Sequence, residues 1–295
     1  MLKQIAFLAL LFIGFSTDAQ SVRNTLSLLP DYIQHTAEKG TFQIAKKGSS
    51  AKIIVDPDDW KGVIRAANDL GNDIHKVTDV ASPVITDTKL LSGAIIVGTV
   101  GKSKLIDQLV ASGKLNVDAL KNKWESFVIQ TAGDNLIIAG SDKRGTIYGI
   151  YDVSEKIGVS PWYYWADTPV KKSKNLYVKP GRYLQDSPKV KYRGIFINDE
   201  SPSFSGWSKE HFGGINSKVY THIFELLLRL KANYLWPAMW GNAFNEDDPM
   251  SPVLADEYGI IMGTSHHEPM MRSQKEYTNR KDKIGAWIML PMQKI

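Results

Sequence analysis

Polar side chains follow three short apolar runs in the second half of the chain, at the point where each run ends. The clusters are Asn198-Asp199-Glu200 after residues 192–197, Asn242 after residues 233–236, and His266-His267-Glu268 after residues 259–263. Neighbouring residues of an extended chain point in opposite directions, so at most one of Asp199 and Glu200 faces a given pocket. A salt bridge or a helix cap is the alternative use of these two carboxylates. The histidines suit hydrogen bonding to a hydroxylated or anionic ligand.

The two adjacent histidines do not have the spacing of a metal site. Zinc-binding helices place their histidines as His-Glu-x-x-His, which puts both imidazoles on one helix face. His266 and His267 are neighbours, so one metal ion can easily use only one of them. We therefore predict no metal ion at this site.

Two tryptophans flank a proline close to the amide of Asn242. Indole rings beside a polar amide suit a platform for a sugar ring, because the C–H faces of sugars are apolar. A core position for one of the two is the alternative, and we predict it for Trp236 before Trp240.

The apolar runs alternate with helical patterns, which is typical of a parallel sheet. Between the first two runs, one helix face carries apolar residues at helical spacing, namely Val219, Ile223, Leu226, Leu227 and Leu230. Strand, helix, strand, short helix and strand is the βα alternation. The polar clusters then lie at the carboxyl ends of the strands, where (β/α) barrels carry their sites. A (β/α)8 barrel needs about 250 residues, so residues 189–295 offer only its first three units, and we favour a truncated barrel.

The first half of the chain predicts a separate α/β domain over residues 40–160, preceded by a connecting segment over 20–39. Gly98 to Ser103 follows a strand and precedes a helix, but the Walker spacing would need a glycine at Ile96, so a plain turn is favoured over a phosphate loop. Residues 161–188 read as a linker with one strand, 175–178. Its aromatic run, Pro161 to Trp165, could stack on sugars or fill an inter-domain contact.

Residues 1–19 have the pattern of a secretory signal peptide cleaved after Ala19, with Lys3 before an apolar core. A membrane anchor is the alternative, but the run is short for a spanning helix. We expect a secreted or periplasmic protein with no membrane contact after cleavage.

The composition excludes several classes of function. Cysteine is absent, which excludes disulfides and thiol catalysis. The net charge of +5 is spread along the chain, so nucleic-acid binding is not predicted.

Three long runs together resemble glycoside hydrolase family 115, the xylan α-1,2-glucuronosidases. They are residues 193–200, 230–240 and 262–272, and segments 96–98, 141–145 and 162–165 are similar to the N-terminal domain of that family. The resemblance covers about residues 25–277. It implies an α/β domain followed by a (β/α)8 barrel. It also implies hydrolysis of glucuronic acid, or its 4-O-methyl ether, from glucuronoxylan with inversion and without a cofactor.

By this resemblance, Trp240 and His266 line the glucuronic acid pocket, with five further residues near it: Asp199, Glu200, Asn242, His267 and Glu268. The catalytic acid and base of the family are expected beyond Ile295, so the chain reads as a truncated, inactive fragment, and full-length relatives could form homodimers. A hexosaminidase-type glycosidase of similar two-domain plan and a non-catalytic carbohydrate-binding remnant are the alternatives.

Overall fold

A computed structural model describes residues 28–237, 241–263 and 273–285 of the chain. The predicted signal peptide, residues 1–19, lies outside the described residues. So do four of the predicted site residues: Trp240, His266, His267 and Glu268. Within these ranges, no helix combines the length and the apolar character needed to cross a bilayer.

The first half of the chain folds into two sheets with helices packed between and against them. The strands are β1 (Ile33–Gln34), β2 (Phe42–Lys46), β3 (Ser49–Ser50), β4 (Lys52–Val55), β5 (Val84–Thr86), β6 (Ala94–Thr99), β7 (Phe127–Ala132), β8 (Asn135–Gly140), β9 (Asn175–Val178) and β10 (Arg182–Gln185). A four-stranded antiparallel sheet has the order β1-β9-β2-β3, and a six-stranded mixed sheet has the order β10-β7-β8-β6-β4-β5. The helices are α1 (Lys61–Thr78), α2 (Lys104–Ala111) and α3 (Lys143–Ile157), with a 3-10 turn at Asp118–Leu120.

The parallel strands β4, β6 and β8 are buried on both faces, which explains their continuous apolar sequences. Ile95 and Val97 belong to the larger core, which they share with α1 and α3. Ile96 belongs to a smaller core on the other face, where it meets Leu105 and Leu109 of α2. Successive residues of β6 therefore point to opposite faces of the sheet and pack into different cores.

The predicted linker contains two strands rather than one, and both pair with strands of the first half. β9 lies between β1 and β2, and β10 pairs with β7 at the edge of the six-stranded sheet. Strand β10 was not predicted, because its side chains alternate between exposed and half-buried and its apolar pattern is weak. The expected connecting segment likewise contributes β1 to a sheet. Residues 161–188 are thus part of the folded unit, not a free connection.

The second half contains a three-stranded parallel sheet of β11 (Gly194–Phe196), β12 (Tyr234–Trp236) and β13 (Ile261–Met262), with β12 in the middle. Gly194 pairs with Tyr234, which pairs with Ile261 on the next strand. The predicted helix between the first two strands is confirmed, and it buries Val219, Ile223 and Leu227. The elements are β11 (Gly194–Phe196), α4 (Phe204–Phe212), α5 (Ser217–Arg229), β12 (Tyr234–Trp236), α6 (Phe244–Asp247), α7 (Met250–Tyr258), β13 (Ile261–Met262) and α8 (Gln274–Ile284).

The two halves share one apolar core, because α5 and α7 pack on α1 and α3. Gly62 of α1 has no room for a side chain, since a Cβ there would lie 2.2 Å from the carbonyl oxygen of Glu257. Helices α1 and α3 are therefore covered on both sides, by the six-stranded sheet and by the helices of the second half.

Among the described residues, three ion pairs with buried carboxylates cross this contact. The pairs are Arg229–Asp73 at 2.8 Å, Lys231–Asp152 at 2.6 Å and Arg193–Glu125 at 2.6 Å. In each, the acid belongs to the first half and the base to the second. A buried carboxylate is costly unless it is paired. Each acid also has a partner in the first half, and the cation from the second half adds to it.

Candidate functional site

The carboxyl ends of β11 and β12 bring Asp199 and Asn242 together, as the strand-end pattern predicts. Asp199 is only 3% exposed, and the Asn242 side-chain amide donates a hydrogen bond to its carboxylate. The Ser205 hydroxyl donates to the backbone carbonyl of Asp199 at 2.7 Å, which ties the start of α4 to this loop. The carboxylate is thus held in one place at the edge of the sheet.

Glu200 behaves differently from its neighbour. It is exposed, whereas Asp199 is buried, so the two carboxylates diverge as expected for adjacent residues of an extended segment. The backbone carbonyl of Glu200 accepts a hydrogen bond from the Ser203 hydroxyl at 3.0 Å. The binding role of Glu200 stays a prediction, and its side chain is accessible to solvent.

A further carboxylate, which the sequence patterns did not predict, lies close to the loop after β12. Glu276 is 4% exposed and accepts a hydrogen bond from the side-chain amide of Asn245, at 3.3 Å. The Ser273 side chain caps α8 by accepting from the backbone N–H of Glu276 at 3.3 Å. A serine followed three residues later by a glutamate is the sequence signal of such a cap, and it could have marked this helix start.

One face of the three-stranded sheet carries aromatic rings that remain accessible. Phe196 is 44% exposed and Trp236 is 39% exposed, with their ring centroids 5.9 Å apart. The Trp236 indole N–H donates to the Tyr234 hydroxyl at 2.7 Å. The prediction of a core position for Trp236 is wrong. Strand residues alternate between faces, and its neighbour Leu235 is the one that is fully buried.

The opposite ends of the same strands, where they begin, are joined by a buried acid. Glu125 is 1% exposed, and its two carboxylate oxygens accept hydrogen bonds from three side chains. The donors are Arg144 at 2.5 Å, Arg193 at 2.6 Å and the amide of Asn233 at 2.6 Å. Arg193 lies just before β11 and Asn233 just before β12, so one carboxylate anchors the starts of both strands.

The two anchored residues also bind each other and the surrounding backbone. The Asn233 side-chain oxygen accepts from the backbone N–H of Arg193 at 3.0 Å, and its amide donates to the carbonyl of Lys191 at 2.7 Å. The Arg193 guanidinium donates to the carbonyl of Lys231 at 2.7 Å and to that of Val190 at 2.7 Å. The donors and acceptors at the strand starts are therefore satisfied within the protein.

The backbone amides on either side of the loop after β6 are not open to a phosphate. The backbone N–H of Thr99 donates to Asp59 at 2.8 Å, and that of Lys104 donates to Asp56 at 2.6 Å. Both aspartates are buried, and burial raises the pKa of Asp59 above its ordinary value. Internal carboxylates occupy the positions that an anionic ligand would need, in agreement with the missing glycine.

The aromatic run at 161–165 packs against α5. The Tyr163 hydroxyl donates to Glu225 at 2.9 Å, and the Trp165 indole donates to the carbonyl of His222 at 3.3 Å. The rings of Tyr164 and His222 stack with centroids 4.1 Å apart. Of the two uses open from the sequence, the contact between the halves is the one observed for these three residues, while Trp162 is 45% exposed.

No group of three or more histidine, aspartate or glutamate side chains suited to a metal ion occurs in the described ranges. What the described site offers is hydrogen-bonding groups and aromatic faces at the carboxyl ends of parallel strands. That combination, on strands that alternate with helices, is typical of enzyme sites built on parallel βα units.

The comparisons with known proteins agree with this class. Residues 185–291 match the family model "Glycosyl hydrolase family 115". The structure is similar to BtGH115A, a family GH115 4-O-methyl-α-glucuronidase with specificity for decorated arabinogalactans, with a TM-score of 0.71 and 34% sequence identity. That match covers 88% of this chain and 32% of the other, so the chain spans about a third of that relative. The chain belongs to glycoside hydrolase family 115.

More distant structures resemble it weakly. A mutant β-hexosaminidase of Streptomyces plicatus has a TM-score of 0.47 and 13% identity, covering 80% of this chain and 44% of that one. A chitobiase of Flavobacterium johnsoniae has a TM-score of 0.46 and 12% identity, covering 79% and 33%. These likenesses carry no argument about function. No curated protein matches the chain.

Proposed function

We propose that this chain contributes part of the sugar pocket of an α-glucuronidase, which hydrolyses glucuronic acid or its 4-O-methyl ether from a polysaccharide. The observation that carries the proposal is the Asp199–Asn242 pair at the carboxyl ends of adjacent strands in a family 115 chain. The 4-O-methyl-α-glucuronidase at 34% identity supports the sugar.

The three βα units are proposed to be the first units of a (β/α)8 barrel. The open aromatic face of Phe196 and Trp236 supports this arrangement, because side chains from all strands fill the interior of such a barrel. In a closed barrel the same two rings would lie inside, and the polar loops after the strands would surround the mouth.

We propose that residues around this mouth bind the uronic acid rather than break the bond. Trp240 would cover one face of the sugar ring, and His266 would donate a hydrogen bond to a hydroxyl or to the carboxylate. Asp199, with its carboxylate fixed by Asn242, would accept from sugar hydroxyls. His267, Glu268 and the exposed Glu200 would complete the polar rim.

The hydrolysis is proposed to proceed with inversion, which needs an acid and a base carboxylate about 6.5–9.5 Å apart, with a water between them. Asp199 and Glu200 are adjacent residues that diverge, so they do not form such a pair. The acid and base are proposed to lie on later barrel strands. Residues 1–295 assayed alone are then expected to bind the sugar without releasing it.

The polysaccharide backbone is proposed to be xylan, as in the glucuronoxylan of the family resemblance. The relative named above has specificity for decorated arabinogalactans, so the backbone is the feature that an assay must distinguish. On either backbone, the proposed substrate carries a terminal uronosyl side chain.

A full-length family 115 enzyme that carries these three segments tests the proposal on both polysaccharides. We expect release of free uronic acid, with the β-anomer appearing first by proton NMR, because inversion of an α-linkage gives that anomer. Release of neutral sugar only would contradict the glucuronidase, and an initial α-anomer would contradict inversion. Cleavage of N-acetylated chromogenic substrates would instead support the hexosaminidase alternative.

We also propose export of the protein with cleavage after Ala19. The supporting feature is the charged and apolar pattern of the first residues. Mass spectrometry of the mature protein should give a new N-terminus at Gln20. An intact Met1 in the membrane fraction would instead support the anchor.

A further inference from the structure

An exposed tryptophan, Trp60, lies in the first half of the chain, between the carboxyl end of β4 and the start of α1. Trp60 is 42% exposed and directly precedes the helix. The backbone carbonyl of Trp60 accepts hydrogen bonds from the backbone N–H groups of Val63 at 2.8 Å and Ile64 at 3.1 Å, which fix the main chain at this position. The exposed indole offers an apolar surface to solvent.

Two lysines flank this ring. The Nζ of Lys102 lies 5.1 Å from the ring centroid and that of Lys143 lies 5.2 Å from it, both within cation–π range. Lys143 is anchored, because it donates to the carbonyl of Asp256 at 2.6 Å. Lys102 is on the exposed turn after β6, so its ammonium group can leave the ring to meet an anion.

The neighbouring charges select what this surface can bind. Lys104 is paired with Asp58 at 2.7 Å, and the backbone amides of Thr99 and Lys104 are taken by buried aspartates. A phosphate would find no ring of backbone donors here. The accessible features are one apolar indole and one mobile cation, which match a sugar ring that carries a carboxylate.

This surface lies at the opposite end of the three-stranded sheet from Asp199 and Asn242. Lys143 contacts Asp256, and the Arg144 guanidinium donates to the carbonyl of Gly259 at 3.0 Å, just before β13 begins. Asp199 follows the carboxyl end of β11, which runs parallel to β13 through β12. The two places are therefore separate on the molecule.

We propose that Trp60 and Lys102 form an accessory binding site for an acidic polysaccharide, with Trp60 stacking on a pyranose ring and Lys102 pairing with a uronate. The choice of uronate rests on the proposed function. The site would retain the polymer on the protein while a side chain elsewhere on the same polymer reaches the strand ends.

Binding of the full chain to immobilised glucuronoxylan tests this site, with xylan stripped of uronic acid as the neutral comparison. We expect Trp60→Ala to weaken binding to glucuronoxylan by about fivefold to tenfold, from loss of the stacking contact. Lys102→Gln should weaken it by about twofold to fivefold and reduce its dependence on salt, since an exposed ion pair is lost. On neutral xylan, Lys102→Gln should have no effect.

Two matched controls are available in the chain. Trp162→Ala removes a tryptophan of similar exposure, 45%, and Lys104→Gln removes a lysine already paired with Asp58. Both should change the binding by less than twofold. Each variant must keep the thermal transition of the unmodified chain, because Trp60 precedes a packed helix.

The outcomes separate this site from the proposed activity. Unchanged binding by Trp60→Ala, an equal loss in the Trp162→Ala control, or no binding by the unmodified chain would overturn the accessory site. If both test variants lose affinity but a full-length relative releases no uronic acid, the accessory site stands and the proposed activity falls. If the relative releases uronic acid while Trp60→Ala binds normally, the proposed activity stands and the accessory site falls.

Discussion

The two ends of the three-stranded sheet are built from the same residue types in opposite ways. At the strand starts, Asn233 and Glu125 are 1% exposed and are tied to two arginines. At the strand ends, Asn242 and Asp199 also form an amide–carboxylate contact, but the adjacent Glu200 is exposed and loops lead away from it. An asparagine and a carboxylate thus stabilise the fold at one end, and the same two residue types are proposed to bind the ligand at the other.

The comparison teaches where this fold can accept functional variation. The strand starts are held by groups from both halves of the chain, so their positions do not depend on the loops at the strand ends. Sites supported by rigid elements keep their geometry while the side chains around them change. We therefore expect substitutions at the starts to act on stability and those at the ends to act on binding.

The largest effect is expected from Glu125→Ala. The change would leave Arg144, Arg193 and Asn233 without their shared acceptor in a buried place, and the loss of one partner of such a network costs about 3–5 kcal/mol. The free energy of unfolding, measured by urea denaturation, should fall by that amount.

Glu200→Ala is the matched control at the other end of β11. It removes an exposed carboxylate, and such surface changes usually alter stability by less than about 0.5 kcal/mol. Equal losses of stability in the two variants would contradict the different roles assigned to the two ends.

A smaller effect is expected from the two asparagines that flank β12. Asn233→Ala removes hydrogen bonds to Glu125, Lys191 and Arg193, and should lower the free energy of unfolding by about 1–3 kcal/mol, since buried groups are left unsatisfied. Asn242→Ala should cost less stability and should weaken binding of glucuronic acid, measured by calorimetry. If Asn242→Ala lowers the free energy of unfolding more than Asn233→Ala does, the assignment of Asn233 to stability and Asn242 to binding is contradicted.

The smallest effect concerns the pH dependence of a region away from both ends. Burial lowers the pKa of His222, which stacks on Tyr164, so the folded protein favours the neutral ring. The unfolded chain binds the proton more readily, so this contribution to stability is present above a pH of about 6.5 and is lost as the pH falls toward the folded pKa.

His222→Phe keeps an aromatic ring at this position without the titration. The unmodified protein should lose more of its thermal stability than the variant when the pH falls from about 7.5 to about 5.5. If the melting temperatures of the two proteins fall in parallel over this range, His222 does not contribute to acid sensitivity.

The local patterns of the sequence predicted much of this fold, and the contacts distant in sequence were missed. The spacing of Val219, Ile223 and Leu227 predicted α5, and the apolar runs predicted three parallel strands with polar ends. Nothing around Glu125 marks it as buried, because its partner Arg193 is 68 residues away. The exposure of Trp236 was also missed, since a short strand does not reveal which of its faces the helices cover.

The distribution of charge across the contact between the halves has a consequence for recombination of related enzymes. Asp73, Glu125 and Asp152 come from the first half, whereas Arg229, Arg193 and Lys231 come from the second. A chimera joined near residue 190 would have to preserve all three complementary pairs at once. We therefore expect a chimera to fold stably only when the second half presents its cations in the same three places.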